Sequence, residues 1–75
     1  KDAKSRLQEW ALGQGLGLPV YRQLAKSGPD HAPKMTYEVV VTGAGSHSAS
    51  GSNRKIAEQK AAAALLARLQ AGDNN

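Results

Sequence analysis

The sequence predicts an α+β domain: a helix, two or three antiparallel strands, then a second helix, with both helices on one face of the sheet. Three observations carry this. Apolar residues recur at helical spacing through the first fourteen positions. Met35 to Val41 alternate at the period of a strand, and Ala57 to Ala67 is dominated by alanine.

The first helix is expected over Asp2 to Gln14. Ala3, Leu7, Trp10 and Ala11 share one stripe, which makes Trp10 a core residue, while Lys4, Gln8 and Glu9 lie on the other side. Asp2 is a suitable cap for its start, and Gly13 and Gly15 mark its end. Leu16 to Pro19 is a connector. Val20 to Ser27 is a short strand with poor alternation, followed by a loop from Gly28 to Pro33 with the turn chemistry of Gly, Pro and Asp.

In the next strand Met35, Tyr37, Val39 and Val41 face one side, against Lys34, Thr36, Glu38 and Thr42, with Val40 as the apolar exception. Gly43-Ala44-Gly45 reads as a hairpin turn. Ser46 to Ser52, made only of Ser, His, Ala and Gly, reads by itself as a flexible loop. A third strand is expected there only because a lone hairpin is marginal and a helix needs a sheet to pack on. The second helix spans Asn53 to Gln70, with Asn53 as its cap, Gly72 as its stop and residues 70–75 as a frayed tail. Ala57, Ala61, Leu65 and Leu69 step by four, and the small residues among them let the helix approach the sheet closely.

Seventy-five residues make one small domain. Thirteen of its apolar residues are alanine, and there is no Phe and one Trp, so a deep substrate cavity is excluded. The absence of cysteine excludes disulfides and thiolate metal sites and fits a reducing, cytoplasmic setting. No apolar run approaches the length of a membrane span, and the alanine-rich helix lacks the bulky face a membrane-surface helix needs. The start at Lys1, without an initiator Met, is read as the edge of a fragment. The carboxylates share no metal-binding spacing, and His31 and His47 have no paired ligand beside them. No cofactor is expected, and the chain itself is read as a binder rather than an enzyme.

Binding has better support. The chain carries ten Lys and Arg against six Asp and Glu, a net charge of +4, which favours a polyanionic partner, although charge of this size also serves solubility. Asn53-Arg54-Lys55 opens the second helix, with Lys60 further on. Cations at a helix N-terminus oppose the macrodipole, and they make sense there as part of an anion site or as an ordinary solvated turn. His31 sits on a loop stiffened by Pro29 and Pro33. Gln8 and Glu9 alone would mean only solubility.

Taken together, Leu7-Gln8-Glu9-Trp10, Leu18-Pro19-Val20-Tyr21, Gly28-Pro29-Asp30-His31 and Asn53-Arg54-Lys55 with Ala57-Glu58-Gln59 resemble the double-stranded-RNA-binding domain. The resemblance runs from about Ala3 to Leu69. Asp2-Ala3-Lys4, Gly-Pro-Asp-His and Ala-Glu-Gln look most like the domain that closes bacterial ribonuclease III.

The resemblance implies an α-β-β-β-α fold that straddles an RNA duplex, with a three-stranded antiparallel sheet and the helices on one face. The first helix and the loop would reach two successive minor grooves, and the second helix start would grip phosphates between them. Lys4, Gln8, Glu9, His31, Asn53, Arg54, Lys55 and Lys60 are the expected RNA-binding residues. This agrees with A-form RNA, whose shallow minor groove displays 2′-hydroxyls.

Some positions depart from the family pattern. Asn53 replaces a Ser and Arg54 a Lys, both keeping the chemistry. Ile56 removes the reciprocal half of a capping box, Leu12 replaces a polar residue able to read a base edge, and Ala49 stands where a Gly is usual. The domain is expected to be a monomer. Its parent would be a homodimeric, magnesium-dependent nuclease. The rival reading is a version of the fold given over to protein interaction, which would be expected to lose the basic helix start and the loop His; both persist here.

Overall fold

The structure, a computed structural model, describes residues 2–72. Its elements are α1 (Ala3–Gly13), β1 (Val20–Ser27), β2 (Lys34–Val41), β3 (Gly45–Gly51) and α2 (Arg54–Gly72). The strands form one antiparallel sheet in the order β1-β2-β3. The expected α-β-β-β-α order, with three strands, is the one observed.

Helix α1 begins where the Asp2 side chain accepts a hydrogen bond from Ser5 N at 2.8 Å. It ends in a Schellman motif: Gly15 N donates to Leu12 O at 3.0 Å and Leu16 N to Ala11 O at 2.9 Å. Gly15 takes φ of 75°, a conformation that favours glycine, and Leu16 then folds back against the core. Leu7 and Ala11 are fully buried, as the stripe requires. Trp10 differs from its expected core position. It is half-buried and packs against the core's margin, as Ala3 does, while Leu7 and Ala11 take the fully buried places.

In β2, Tyr37, Val39 and Val41 are buried under the helices, and their neighbours point to the open face. There Arg22 Nε meets Glu38 Oε1 at 3.0 Å across the β1–β2 ladder, in which the two residues are register partners. The poor alternation of β1 has a cause. Its register with β2 shifts between Gln23 and Ala25, a bulge that leaves the exposed Leu24 outside the pairing.

Residues 46–52 are not a flexible loop. Gly45–Gly51 is a full strand paired along β2 from Val41↔Gly45 to Met35↔Gly51. Its small side chains conceal it in the sequence, and they are what α2 needs. A Cβ on Gly51 would lie 2.7 Å from Ile56 Cγ2 and 2.8 Å from Ala57 N. The buried residues of α2 include Ala57, Ala61 and Ala62 in its first half, followed by Leu65 and Leu66. The helix continues to Gly72, so Gln70 to Gly72 are helical rather than frayed; residues 73–75 of the expected tail lie outside the described residues.

Candidate nucleic-acid interface

Helix α1 rests principally on α2, and its first turn meets α2 at Glu58 and Gln59. Gln59 Oε1 accepts from Ala3 N at 3.0 Å and Lys4 N at 3.3 Å, satisfying two amides that a helix start leaves without an internal partner. This contact brings Lys4 beside the start of α2.

Around it lies a groove of about 710 Å³, lined from α1 by Lys4 and Gln8, from α2 by Arg54, Lys55, Glu58 and Gln59, and from the sheet side by Pro19 and Tyr21. Asn53 caps α2 by accepting from Ile56 N at 2.8 Å, so its carboxamide oxygen is occupied in the fold. The Asn cap works without the lost reciprocal partner.

Glu58 forms the floor of the groove. It is 3% exposed, and its two oxygens take Lys4 Nζ at 2.8 Å and Arg54 Nε at 3.0 Å. Burial pushes its carboxyl pKa up, but the hydrogen bonds from Lys4 and Arg54 prevail and hold it below the ordinary value. The hydrogen bond to Glu58 likewise raises Arg54.

Aromatic rings back both cations: Lys4 Nζ stands 4.7 Å from the centre of the Tyr21 ring and the Arg54 guanidinium 5.8 Å from that of Tyr37. Tyr37 is held in turn by its hydroxyl, which donates to Gln23 Oε1 at 2.9 Å. The Tyr21 hydroxyl is buried without a hydrogen-bond partner. Desolvation, with the nearby negative charge of Glu58 and Asp2, pushes it up to about 12, so it remains a neutral phenol.

Four of the eight expected residues thus line one groove: Lys4, Gln8, Arg54 and Lys55. Glu9 lies beside Gln8 in a smaller depression of about 330 Å³ with Asp2 and Ser5. Asn53 stands at the helix start as its cap. His31 is separate, exposed on the β1–β2 loop. That loop needs its glycine: Gly28 has φ of 85°, and a Cβ there would meet Ala32 O at 2.5 Å. Ala32 N closes the turn on Pro29 O at 2.9 Å. The Met35↔Gly51 pairing puts this loop and the start of α2 at the same end of the sheet. Lys60 does not line the groove; at about 100° per residue it points to another side of α2 from Arg54 and Lys55.

Sequence reading used Tyr21, Glu58 and Gln59 for the resemblance, with Glu58 at a position where many members of the family carry a Lys, but left these three and Tyr37 out of the site. The Arg54–Glu58 spacing of four was a visible signal. The Lys4–Glu58 pair joins opposite ends of the chain and left none. Among the described residues no cluster of His, Asp and Glu is placed to hold a metal ion, and no helix is long and apolar enough to cross a membrane.

The chain is similar to Ribonuclease 3 of Caulobacter vibrioides, at 56% identity over 96% of this chain and 31% of that protein. Ribonuclease 3 of Cereibacter sphaeroides is 46% identical over 99% of this chain and 32% of its own length. The chain therefore spans about a third of these relatives. Among solved structures, one of Arabidopsis HYL1 matches with a TM-score of 0.67 at 42% identity, covering 80% of this chain and 84% of that one. A solution structure of both double-stranded-RNA-binding domains of DRB4 matches with a TM-score of 0.70 at 35% identity, over 89% of this chain and 43% of that one. The family described as the double-stranded RNA binding motif matches residues 3–69. With the helix–sheet–helix order and the two-helix cationic groove already in view, these matches establish that the chain belongs to the double-stranded-RNA-binding-motif family.

Proposed function

We propose that this domain grips one face of an RNA duplex by shape and backbone contacts, as the substrate-binding module of a ribonuclease III. The observation that carries the reading is the convergence in one groove of Lys4 and uncharged Gln8 from α1 with Arg54 and Lys55 from α2. Cations suit phosphates, and a neutral carboxamide suits a 2′-hydroxyl. His31 supplies a second contact from its stiffened loop, and Glu9 acts beside Gln8. Lys60 lies outside the groove, where its part is long-range attraction.

The remaining two thirds of such a parent would supply dimerisation and magnesium-dependent cleavage in the cytoplasm, and this domain would act as a monomeric unit within it. Matched RNA and DNA duplexes of about 16 base pairs, titrated at one salt concentration, test the proposal. Tighter binding of RNA is expected, and equal affinity for both would overturn it.

A further inference from the structure

Glu58 is an unusual residue to place at a phosphate-binding groove. Counted as a charge, it opposes the incoming RNA. Counted as part of the core, it is a replaceable choice, because apolar side chains of similar volume often serve stability as well as a buried ion pair does. Its geometry accounts for it better. One oxygen holds a cation from α1 and the other a cation from α2, at 2.8 Å and 3.0 Å, from a side chain only 5% exposed. The trio of Lys4, Arg54 and Glu58 keeps a net charge of +1. Arg54 meets Glu58 through Nε and its side chain is 71% exposed, so most of it stays open to solvent.

We propose that Glu58 is a positioning residue for RNA: it holds Lys4 and Arg54 at fixed places on the groove, one cation from each helix, before the duplex arrives. This rests on the RNA-binding reading above. The benefit is preorganisation. Long, flexible side chains that must be ordered during binding weaken it, and those ordered in advance do not.

The test is Glu58→Gln in the 75-residue chain, with affinity for a duplex RNA of about 16 base pairs and the melting temperature measured together. The variant gains one unit of positive charge, so simple attraction predicts tighter binding. Positioning predicts binding weaker by about fivefold or more, fivefold being the lower bound when two rotamer-rich side chains lose their restraint. A folded variant with equal or higher affinity overturns the proposal. Should the variant not fold, the unmodified protein decides by hydrogen exchange at Arg54 Nε–H. Exchange slower than at the exposed Arg6 in the free protein is expected; exchange there as fast as at Arg6 overturns the proposal, whatever the RNA complex shows. Lys55→Ala separates the two levels. If it weakens RNA binding while Glu58→Gln does not, only the positioning role fails. If Lys55→Ala also leaves affinity unchanged, RNA does not occupy this groove and the reading of the site fails with it.

Discussion

Gly51 and Ala57 stand so close that a methyl group on the first would come within 2.8 Å of the backbone nitrogen of the second. The last residue of β3 is thereby the seat of α2, and the first turn of that helix carries Arg54 and Lys55 into the groove. A backbone contact of this kind cannot be relieved by turning a side chain. Gly51→Ala is expected to destabilise the domain by about 1–3 kcal/mol through overpacking. Chemical denaturation measures it, and a neutral result would show that α2 lifts from the sheet without penalty.

Arg54 and Lys55 are adjacent but unequal. Arg54 is one of two partners of the buried Glu58, and Lys55 has no part in that pairing. Lys55→Ala should leave stability within about 0.5 kcal/mol of the parent, as for an exposed side chain. It should also flatten the log–log salt dependence of RNA binding by about one. Arg54→Ala should weaken RNA binding too, and in addition lower stability more than Lys55→Ala does, because it leaves the buried Glu58 with Lys4 as its remaining cation. Melting curves and salt titrations on both variants distinguish them; equal stability would contradict the Glu58 pairing.

Trp10 is half-buried, so its removal should fall short of the roughly 3–5 kcal/mol typical of a fully enclosed aromatic. About 2 kcal/mol is expected for Trp10→Ala, in proportion to the apolar area that leaves water. Leu7→Ala, at a position with no exposure, should cost more. Urea midpoints compare the two, and the reverse order would show that the margin of α1 matters more than its buried face.

The depressed pKa of Glu58 makes stability depend on pH in a defined direction. Its ordinary value is 4.5, and Lys4 and Arg54 hold the folded-state value lower. The contribution is therefore fully present above the unfolded value and is lost as pH falls through the folded one. Asp2, whose carboxylate accepts from the backbone and side chain of Ser5, shifts in the same direction. Comparing parent and Glu58→Gln between pH 6 and pH 3 isolates the Glu58 share. The parent should lose more stability than the variant below about pH 4.5, and parallel curves would argue that Glu58 titrates like a solvated carboxylate.

Local features of the fold were readable because their causes are local. Asp2 caps α1, Asn53 caps α2, and the alternation from Met35 to Val41 records one wet face and one dry face. β3 was nearly invisible because its residues were selected for what they lack. Ala49 and Gly51 fit beneath a close helix, and smallness in a sequence resembles flexibility. The cationic residues of the groove stood out through charge and through the motifs that carry them. Glu58 and Gln59 belong to the same motifs, but their roles did not show there, since their work is done on Lys4 and Ala3 at the far end of the chain.

The way α1 is attached has a mechanical consequence. Because it leans on α2 far more than on the sheet, and because its Ala3 and Lys4 amides are both tied to the Gln59 oxygen, it behaves as an arm mounted on α2. The angle of that arm fixes the distance between Gln8 and Lys55 across the groove. On the proposed reading, that distance is the spacing of sugar and phosphate the domain would accept, so a helix crossing would measure the pitch of the duplex. The domain's discrimination between A-form and B-form duplexes would then be tuned by core residues that never touch the nucleic acid.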